Sequence, residues 1–213
     1  MEKNVSFCTI ILVFCYQIST AQILDTIPSH TIYSYKNFEI PKRIKTEFEY
    51  SLTFYPELSD ENIKIRYKKI KTTMLCRPTL WSWFRKPNSR KYLMLINQNS
   101  KKIGNAMYDS LSQKAKIGVL VHELGHIYDY KYKTTLNLLG FPLKYLTQNG
   151  KSYIEKKTDS IAVNHNAGEY VYEFSNFVFY QSNASSKYLE FKAKYYHKPE
   201  DIKRMIEAMK TNK

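Results

Sequence analysis

Cysteine and long apolar runs are both scarce in this chain of 213 residues. Of its 3 cysteines, Cys8 and Cys15 lie close to the N-terminus. The longest apolar run, VSFCTIILVFCYQI, has about 14 residues, fewer than the roughly 20 that a membrane-spanning helix needs. A lysine, then an apolar run, then the small residues Ser19-Thr20-Ala21 is the order typical of a secretory signal peptide. We therefore predict that residues 1–21 are removed and that the mature chain, residues 22–213, is secreted or periplasmic.

The scarcity of cysteine limits how the mature chain can be stabilised. Removal of the first segment leaves Cys76 alone, which excludes an intramolecular disulfide. A lone cysteine is then either buried as a small apolar side chain or available for intermolecular pairing. Packing and any bound metal must supply the stability. An uncleaved membrane anchor is the alternative interpretation of the N-terminal run.

Acidic residues are also few, since 33 Lys and Arg stand against 19 Asp and Glu, for a net charge of +14. Such a charge favours anionic partners, for example an acidic glycan or a membrane surface. The lysines are spread along the chain, and no helix-turn-helix, zinc-finger or RNA-binding signature is present. The sequence therefore carries no specific nucleic acid signature, and a solvated basic surface is the simpler interpretation.

The order of the predicted elements indicates a single α+β domain, with a small mixed sheet followed by helices. Residues 41–56 have the apolar spacing of a first helix. Residues 62–71 alternate like a half-buried strand, and the more apolar residues 90–98 predict a more central one. Between these strands, residues 77–90 resemble a long loop with both tryptophans. Further helices are predicted from Ser110 or Ser112 to Tyr130, over residues 151–180, and from Pro199 onward.

The segment HELGH lies in the middle of the helix that is predicted to end at Tyr130. Residues four apart share one helix face, so His122 and His126 present their imidazoles side by side, as two ligands of one zinc ion would be. Glu123 is turned about 100° from His122, beside the metal rather than on it. A carboxylate there can take a proton from zinc-bound water, which predicts a catalytic role for Glu123.

A second polar pair follows in the segment EKKTD, where Glu155 and Asp159 are four residues apart. HELGH followed by a Glu-x-x-x-Asp helix resembles the gluzincin branch of zinc metallopeptidases. This resemblance implies a zincin-like fold, with zinc held by His122, His126 and Glu155. It also implies that Glu123 is the general base and acid, and that Asp159 orients a ligand histidine.

The chain departs from the gluzincin pattern in two ways. Thr158 stands where alanine often precedes the aspartate, and the gap between His126 and Glu155 is short. The third ligand is therefore open, with His165 and Asp159 as alternatives to Glu155. His165 is also our candidate for the catalytic group that donates to the oxyanion, ahead of Tyr170 and Tyr172.

These observations together predict a secreted zinc metallopeptidase that acts on a peptide or protein substrate. By resemblance to zincins, residues 90–98 would form the edge strand along which the peptide binds. The alternatives are a non-catalytic, zinc-containing module whose basic surface binds a glycan or membrane, and a zinc hydrolase of a non-peptide amide.

Overall fold

A four-stranded mixed sheet forms one layer of the structure. The computed structural model describes residues 37–211, so the predicted signal peptide lies outside the described residues. The strands are β1 (Phe38–Glu39), β2 (Asn62–Lys68), β3 (Met74–Pro78) and β4 (Lys91–Asn97). Their order in the sheet is β1-β2-β4-β3, with β1, β2 and β4 parallel and β3 antiparallel to β4. The expected small mixed sheet is confirmed.

Strands β2 and β4 follow their sequence patterns closely. In β2, Ile63 and Ile65 are fully buried, while the intervening Lys64 and Arg66 are at least partly exposed. In β4, most side chains from Tyr92 to Asn97 are buried. Residues 90–98 form the more buried of the two strands, as predicted from their apolar character, but not a more central one, because β2 and β4 both have partners on two sides.

The position of β4 overturns a second prediction about the same residues. A strand paired on both sides has no free backbone groups for a peptide, so residues 90–98 are not the edge strand. The edge of the sheet next to β4 is formed by β3, which pairs with β4 alone. The sequence interpretation missed β3 because the strand is short and ends in Pro78, which makes its apolar alternation weak.

Eight α-helices lie in the described part of the chain. The first, α1 (Lys45–Leu52), follows a 3-10 turn, and the predicted apolar positions Ile44, Phe48, Leu52 and Tyr55 are all fully buried. The others are α2 (Gln113–Lys131), α3 (Thr135–Leu139), α4 (Phe141–Leu146), α5 (Gln148–Ala162), α6 (Gly168–Asn176), α7 (Ser186–Tyr195) and α8 (Pro199–Thr211). The sequence did not predict α7.

The helix that was predicted over residues 151–180 is interrupted. A π-helical turn, Val163–Ala167, separates α5 from α6, and within it Asn166 has φ of 60°. Such a backbone conformation cannot continue an α-helix. A second π-helical turn, Phe177–Gln181, follows α6. None of the helices in residues 37–211 is both long enough and apolar enough to cross a membrane.

Helix α2 lies at the centre of the molecule, with the sheet on one side and α5 and α6 on others. Its residues from Ile117 to Ile127 are all buried. The approach of α6 is close, because a Cβ added at Gly118 would lie 2.0 Å from the Tyr170 carbonyl oxygen. The histidines on α2 are therefore held in a rigid, fully packed helix. Cys76, on β3, is buried and unpaired, which agrees with the first of its two expected states.

Candidate metal centre

Helix α2 sets the first two side chains of the centre. Ser112 caps the helix, its hydroxyl oxygen accepting a hydrogen bond from the Ala115 amide at 3.2 Å. Ten residues later, His122 and His126 point from the same face, with ring centres 4.9 Å apart. Both imidazoles are buried. His122 and His126, four residues apart in the sequence, are therefore neighbours that can act as two ligands of one ion.

Glycine at position 125 allows α5 to reach this pair. A Cβ at Gly125 would lie 3.0 Å from Thr158 Cγ2 and 3.2 Å from the Thr158 carbonyl oxygen. Any larger side chain would push the two helices apart. The close approach brings the preceding turn of α5, which carries Glu155, over the histidines.

Glu155 completes a group of three ligand atoms. Its Oε2 lies 3.3 Å from Nε2 of His122 and 3.3 Å from Nε2 of His126. All three residues are buried, and their ligand atoms lie within 4.8 Å of one another. Among the three candidates for the third position, Glu155 is the one that the structure brings to the histidines.

The far nitrogens of both imidazoles are held by hydrogen bonds. His122 Nδ1 lies 2.8 Å from Asp159 Oδ1, a carboxylate oxygen that accepts a hydrogen bond from it. The Thr158 hydroxyl donates to the Ile154 carbonyl oxygen at 2.9 Å, so it accepts from His126 Nδ1 at 3.1 Å. With the protons of the neutral rings on Nδ1, both Nε2 lone pairs are directed at Glu155 Oε2.

This arrangement can accommodate a cation between the three atoms. Two nitrogen lone pairs and a carboxylate oxygen repel one another at 3.3 Å. Glu155 Oε2 is buried and makes no hydrogen bond within residues 37–211. Two imidazoles and a carboxylate are also a donor set that divalent transition metals accept. The residues therefore fit a metal ion.

The charges of the metal-free centre agree with this conclusion. Burial lowers the pKa of His122, but the hydrogen bond to Asp159 and the close contact with the Glu155 carboxylate outweigh it and raise that pKa to about 10. Burial would raise the pKa of Glu155, but the charge of His126 and the close contacts with the two imidazoles hold it well below its usual value. Without a metal, a proton on His122 supplies the positive charge that the centre needs.

Asp159 lies behind His122 rather than among the three ligand atoms. Its Oδ2 accepts a hydrogen bond from the His197 backbone amide at 3.2 Å, while Oδ1 faces the imidazole. The carboxylate is buried. It is thus positioned to orient a ligand histidine, the role that the resemblance implied, and it is not a third ligand.

Glu123 lies beside the centre and faces the same cleft. The carboxylate is buried, and its Oε2 makes no hydrogen bond within the described residues. Burial raises the pKa of Glu123, and the nearby His126 and His122 only partly oppose that effect. A carboxylate with a raised pKa and a free oxygen is a suitable group to accept and return a proton.

The cleft in front of the centre has a volume of about 320 Å³. Side chains of the edge strand β3 form one wall, and the remaining walls come from α2, α4, α5 and α7. Besides Glu123, His126 and Glu155, its lining includes Met74, Leu75, Cys76, Arg77, Trp83, Tyr130, Phe141, Tyr145, Lys151 and Tyr196. The metal centre is therefore reached from a groove that runs beside an edge strand.

His165 lies elsewhere, so its two predicted roles are corrected. Its ring stacks on Tyr55 at 4.5 Å and meets Tyr128 at 4.6 Å, while Nδ1 lies 2.8 Å from the Ile161 carbonyl oxygen. Tyr128 follows His126 by two residues, about 200° around α2, so His165 is on the other side of that helix. His165 belongs to the π-helical turn that separates α5 from α6.

Tyr170, a weaker candidate for the same donor role, is also away from the cleft. Its hydroxyl shares a hydrogen bond of 2.6 Å with the Tyr50 hydroxyl, and its ring packs on Tyr50 and Phe54. Tyr172 is a partly buried side chain packed against the core. Neither residue lines the cleft.

Two tyrosines that sequence reasoning did not single out do line the cleft. The Tyr145 hydroxyl donates to Glu155 Oε1 at 3.3 Å. Tyr196 packs against His122, with ring centres 5.7 Å apart, and carries Lys192 Nζ at 3.5 Å from its ring centre. With 19 tyrosines in the chain, no local pattern distinguishes these two.

Comparisons of the chain with models of protein families, with curated proteins and with solved structures find no match. Its function is therefore inferred from the geometry of the metal centre and the cleft.

Proposed function

We propose that this chain is a secreted, zinc-dependent peptidase with a zincin-like fold. One observation carries the proposal: the Nε2 atoms of His122 and His126 converge on Glu155 Oε2 at 3.3 Å, with both Nδ1 atoms held from behind. Three protein ligands in an open cleft are typical of catalytic zinc, whereas structural zinc usually has four.

Zinc suits this donor set, because two imidazoles and one carboxylate form a common catalytic combination. When bound, the ion would polarise the scissile carbonyl and lower the pKa of its water. His122, His126 and Glu155 would hold it. Asp159 and Thr158 keep the two imidazoles in the orientation and tautomer that binding needs.

Glu123 acts as the general base and then as the general acid. It takes a proton from the attacking water and delivers it to the leaving nitrogen. Its free Oε2, its burial and its raised pKa support both steps. Among the described residues that line the cleft, the one other acid is Glu155, which is occupied as a ligand.

Tyr196 donates a hydrogen bond to the developing oxyanion. It lines the cleft together with Glu123 and His126. Burial is the largest of the effects that raise the pKa of Tyr196 well above its usual value, so the phenol keeps its proton. A protonated donor near the metal is what this step requires.

Strand β3 supports a peptide as the substrate. One side of β3 pairs with β4, and the other has no strand partner in the described residues. Its residues Met74 to Arg77 form a wall of the cleft. An extended peptide can add to such an edge by backbone hydrogen bonds, with its scissile bond beside the metal. A small non-peptide amide would leave this edge unused.

The substitution Glu123→Gln tests the proposed chemistry. We expect the variant to bind zinc as the unmodified chain does, but to lose roughly 10²–10⁴-fold in peptide hydrolysis, the usual contribution of general acid–base catalysis. Hydrolysis of a peptide library and zinc content would be measured together. Retained hydrolysis would overturn the role of Glu123.

The same experiment separates the peptidase from a zinc-containing binding module. A peptidase loses activity with a chelator and regains it with added zinc. A module binds zinc and hydrolyses no peptide in either state. One zinc per chain without any hydrolysis of the library would therefore favour the module.

A further inference from the structure

Exposed apolar side chains are concentrated in two segments next to the metal cleft, residues 75–86 and residues 132–146. We call six of these side chains the apolar rim, and they are 65% to 81% exposed: Leu80, Trp81, Phe84, Leu136, Leu143 and Leu146. Single exposed apolar residues are ordinary, but such a concentration marks an interaction surface.

The two segments form one surface. The 3-10 turn Leu80–Phe84 packs against α3, and the Thr135 hydroxyl donates to the Arg85 carbonyl oxygen at 3.1 Å. Gly140, between α3 and α4, keeps helical angles of φ −75° and ψ −12°. The leucines of the rim on these two helices recur at helical spacing, so they share a face.

The charged residues within the two segments are all basic. Neither residues 75–86 nor residues 132–146 contain an aspartate or a glutamate. Exposed basic side chains flank the rim: Arg77, Arg85, Lys86 and Lys144. Protein interfaces are depleted in lysine, whereas apolar side chains ringed by lysine and arginine are typical of surfaces that lie on anionic lipid.

We propose that the apolar rim binds the surface of an anionic lipid bilayer. Trp81 and Phe84 enter the boundary between headgroups and acyl chains, where aromatic rings are favoured. The leucines of α3 and α4 enter the same boundary, and the flanking cations face the lipid phosphates. The rim does not span the bilayer and acts only at the bilayer surface.

This placement has a consequence for the cleft. Four residues of the two segments also line the metal cleft: Trp83, Phe141, Pro142 and Tyr145. Bound lipid therefore holds the cleft mouth beside the bilayer, where it would meet peptides that emerge from or lie on the membrane. The consequence rests on the proposed peptidase function, but the lipid binding does not.

Vesicle flotation of residues 22–213 tests the proposal, since this form keeps every described residue and omits the N-terminal apolar run. We expect binding to vesicles of equal parts phosphatidylcholine and phosphatidylglycerol, and much weaker binding to phosphatidylcholine alone. The double variant Leu143→Gln, Leu146→Gln should weaken binding about tenfold or more, because two leucines leave the lipid. Tyr180→Gln, at a residue 63% exposed outside the rim, is the matched control.

Tryptophan emission gives an independent readout, because the chain has only 2 tryptophans. Anionic vesicles should shift the emission to the blue, and Trp81→Phe should abolish most of that shift. Absence of binding to the anionic vesicles, or equal binding by the double variant, would overturn the proposal. A chain that ignores vesicles but forms a dimer that the double variant dissociates, as seen by sedimentation velocity, would assign the rim to a second copy instead.

Discussion

The two histidines of the centre are oriented by different kinds of side chain. His122 donates to the carboxylate of Asp159 at 2.8 Å, whereas His126 donates to the hydroxyl of Thr158 at 3.1 Å. The carboxylate raises the basicity of its imidazole more than a neutral hydroxyl does. Thr158, which departs from the gluzincin pattern, thus has a definite role: it fixes the ring of His126 and leaves Nε2 free.

Tyr196 provides the sharpest test at the scale of a residue. Tyr196→Phe removes the proposed oxyanion donor and keeps the ring, so we expect kcat to fall about 10²-fold, at the lower end of the effect of losing one such donor. Zinc content and KM should hardly change. Steady-state kinetics on a peptide substrate would measure both constants.

Tyr170→Phe is the matched control, because it removes a hydroxyl that bonds to Tyr50 away from the cleft. Its kcat should equal that of the unmodified chain. Equal losses in the two variants would mean that Tyr196 acts through packing and not as a donor.

At the scale of elements, the centre depends on how α2 and α5 meet. Gly125 allows the close approach, and the hydrogen bonds of Asp159 and Thr158 cross the same interface. One turn further along α2, Asp129 forms ion pairs with Lys133 of the connection and with Lys157 of α5, the latter at 2.7 Å. Packing at Gly125, the hydrogen bonds that orient the two histidines, and the ion pairs of Asp129 therefore all hold these two helices together.

Asp129 predicts a pH dependence of this helix pair. Burial would raise its pKa, but the hydrogen bonds to Lys133 and Lys157 outweigh it, and the pKa is lowered. The stabilisation is therefore complete above about pH 4, the unfolded pKa, and is lost as the pH falls through the lower folded pKa. We expect Asp129→Asn to remove about 1 kcal/mol or less from the free energy of unfolding at pH 7, since Lys157 is partly exposed.

Denaturant unfolding of both chains with a chelator present, from pH 7 to pH 2, would measure this difference. The two stabilities should converge at the acidic end. Glu169→Gln is the control, because Glu169 pairs with Lys210 between two exposed side chains and its loss should change little. A constant difference at every pH would show that Asp129 stabilises the fold by packing alone.

At the scale of the whole molecule, a buried group of ionisable side chains lies in a core whose one cysteine within residues 37–211, Cys76, is not in a disulfide. Helix α2 joins the sheet to the helices that supply Glu155, so the centre links both layers. A metal that binds the folded chain and not the unfolded chain stabilises the fold by mass action. Zinc should therefore stabilise the fold in addition to its proposed role in catalysis.

We expect zinc at about 100 times its dissociation constant to add about 2.7 kcal/mol to the free energy of unfolding. For a domain of this size that corresponds to a rise in Tm of roughly 5–10 °C. Thermal unfolding with zinc and with a chelator would measure it. Glu155→Ala should show a much smaller rise, and a Tm that ignores zinc in the unmodified chain would contradict the metal centre.

The sequence by itself determined the local parts of this molecule. The helix that carries His122, Glu123 and His126 follows from apolar spacing and a serine cap, and the two imidazoles share a face because residues four apart always do. Strand β2 and the buried positions of α1 were likewise readable from their periods. These features depend on neighbours within a few residues, which the sequence displays directly.

Only the tertiary structure decided which distant residues meet. It separated Glu155 from His165 as the candidate third ligand, because Glu155 Oε2 lies 3.3 Å from His122 whereas His165, in the π-helical turn, packs against Tyr128 on the opposite side of α2. It made β3 and not β4 the edge strand, since pairing order depends on the whole sheet. It also packed Tyr196 against His122, which lies 74 positions earlier in the chain, and no local pattern encodes that contact.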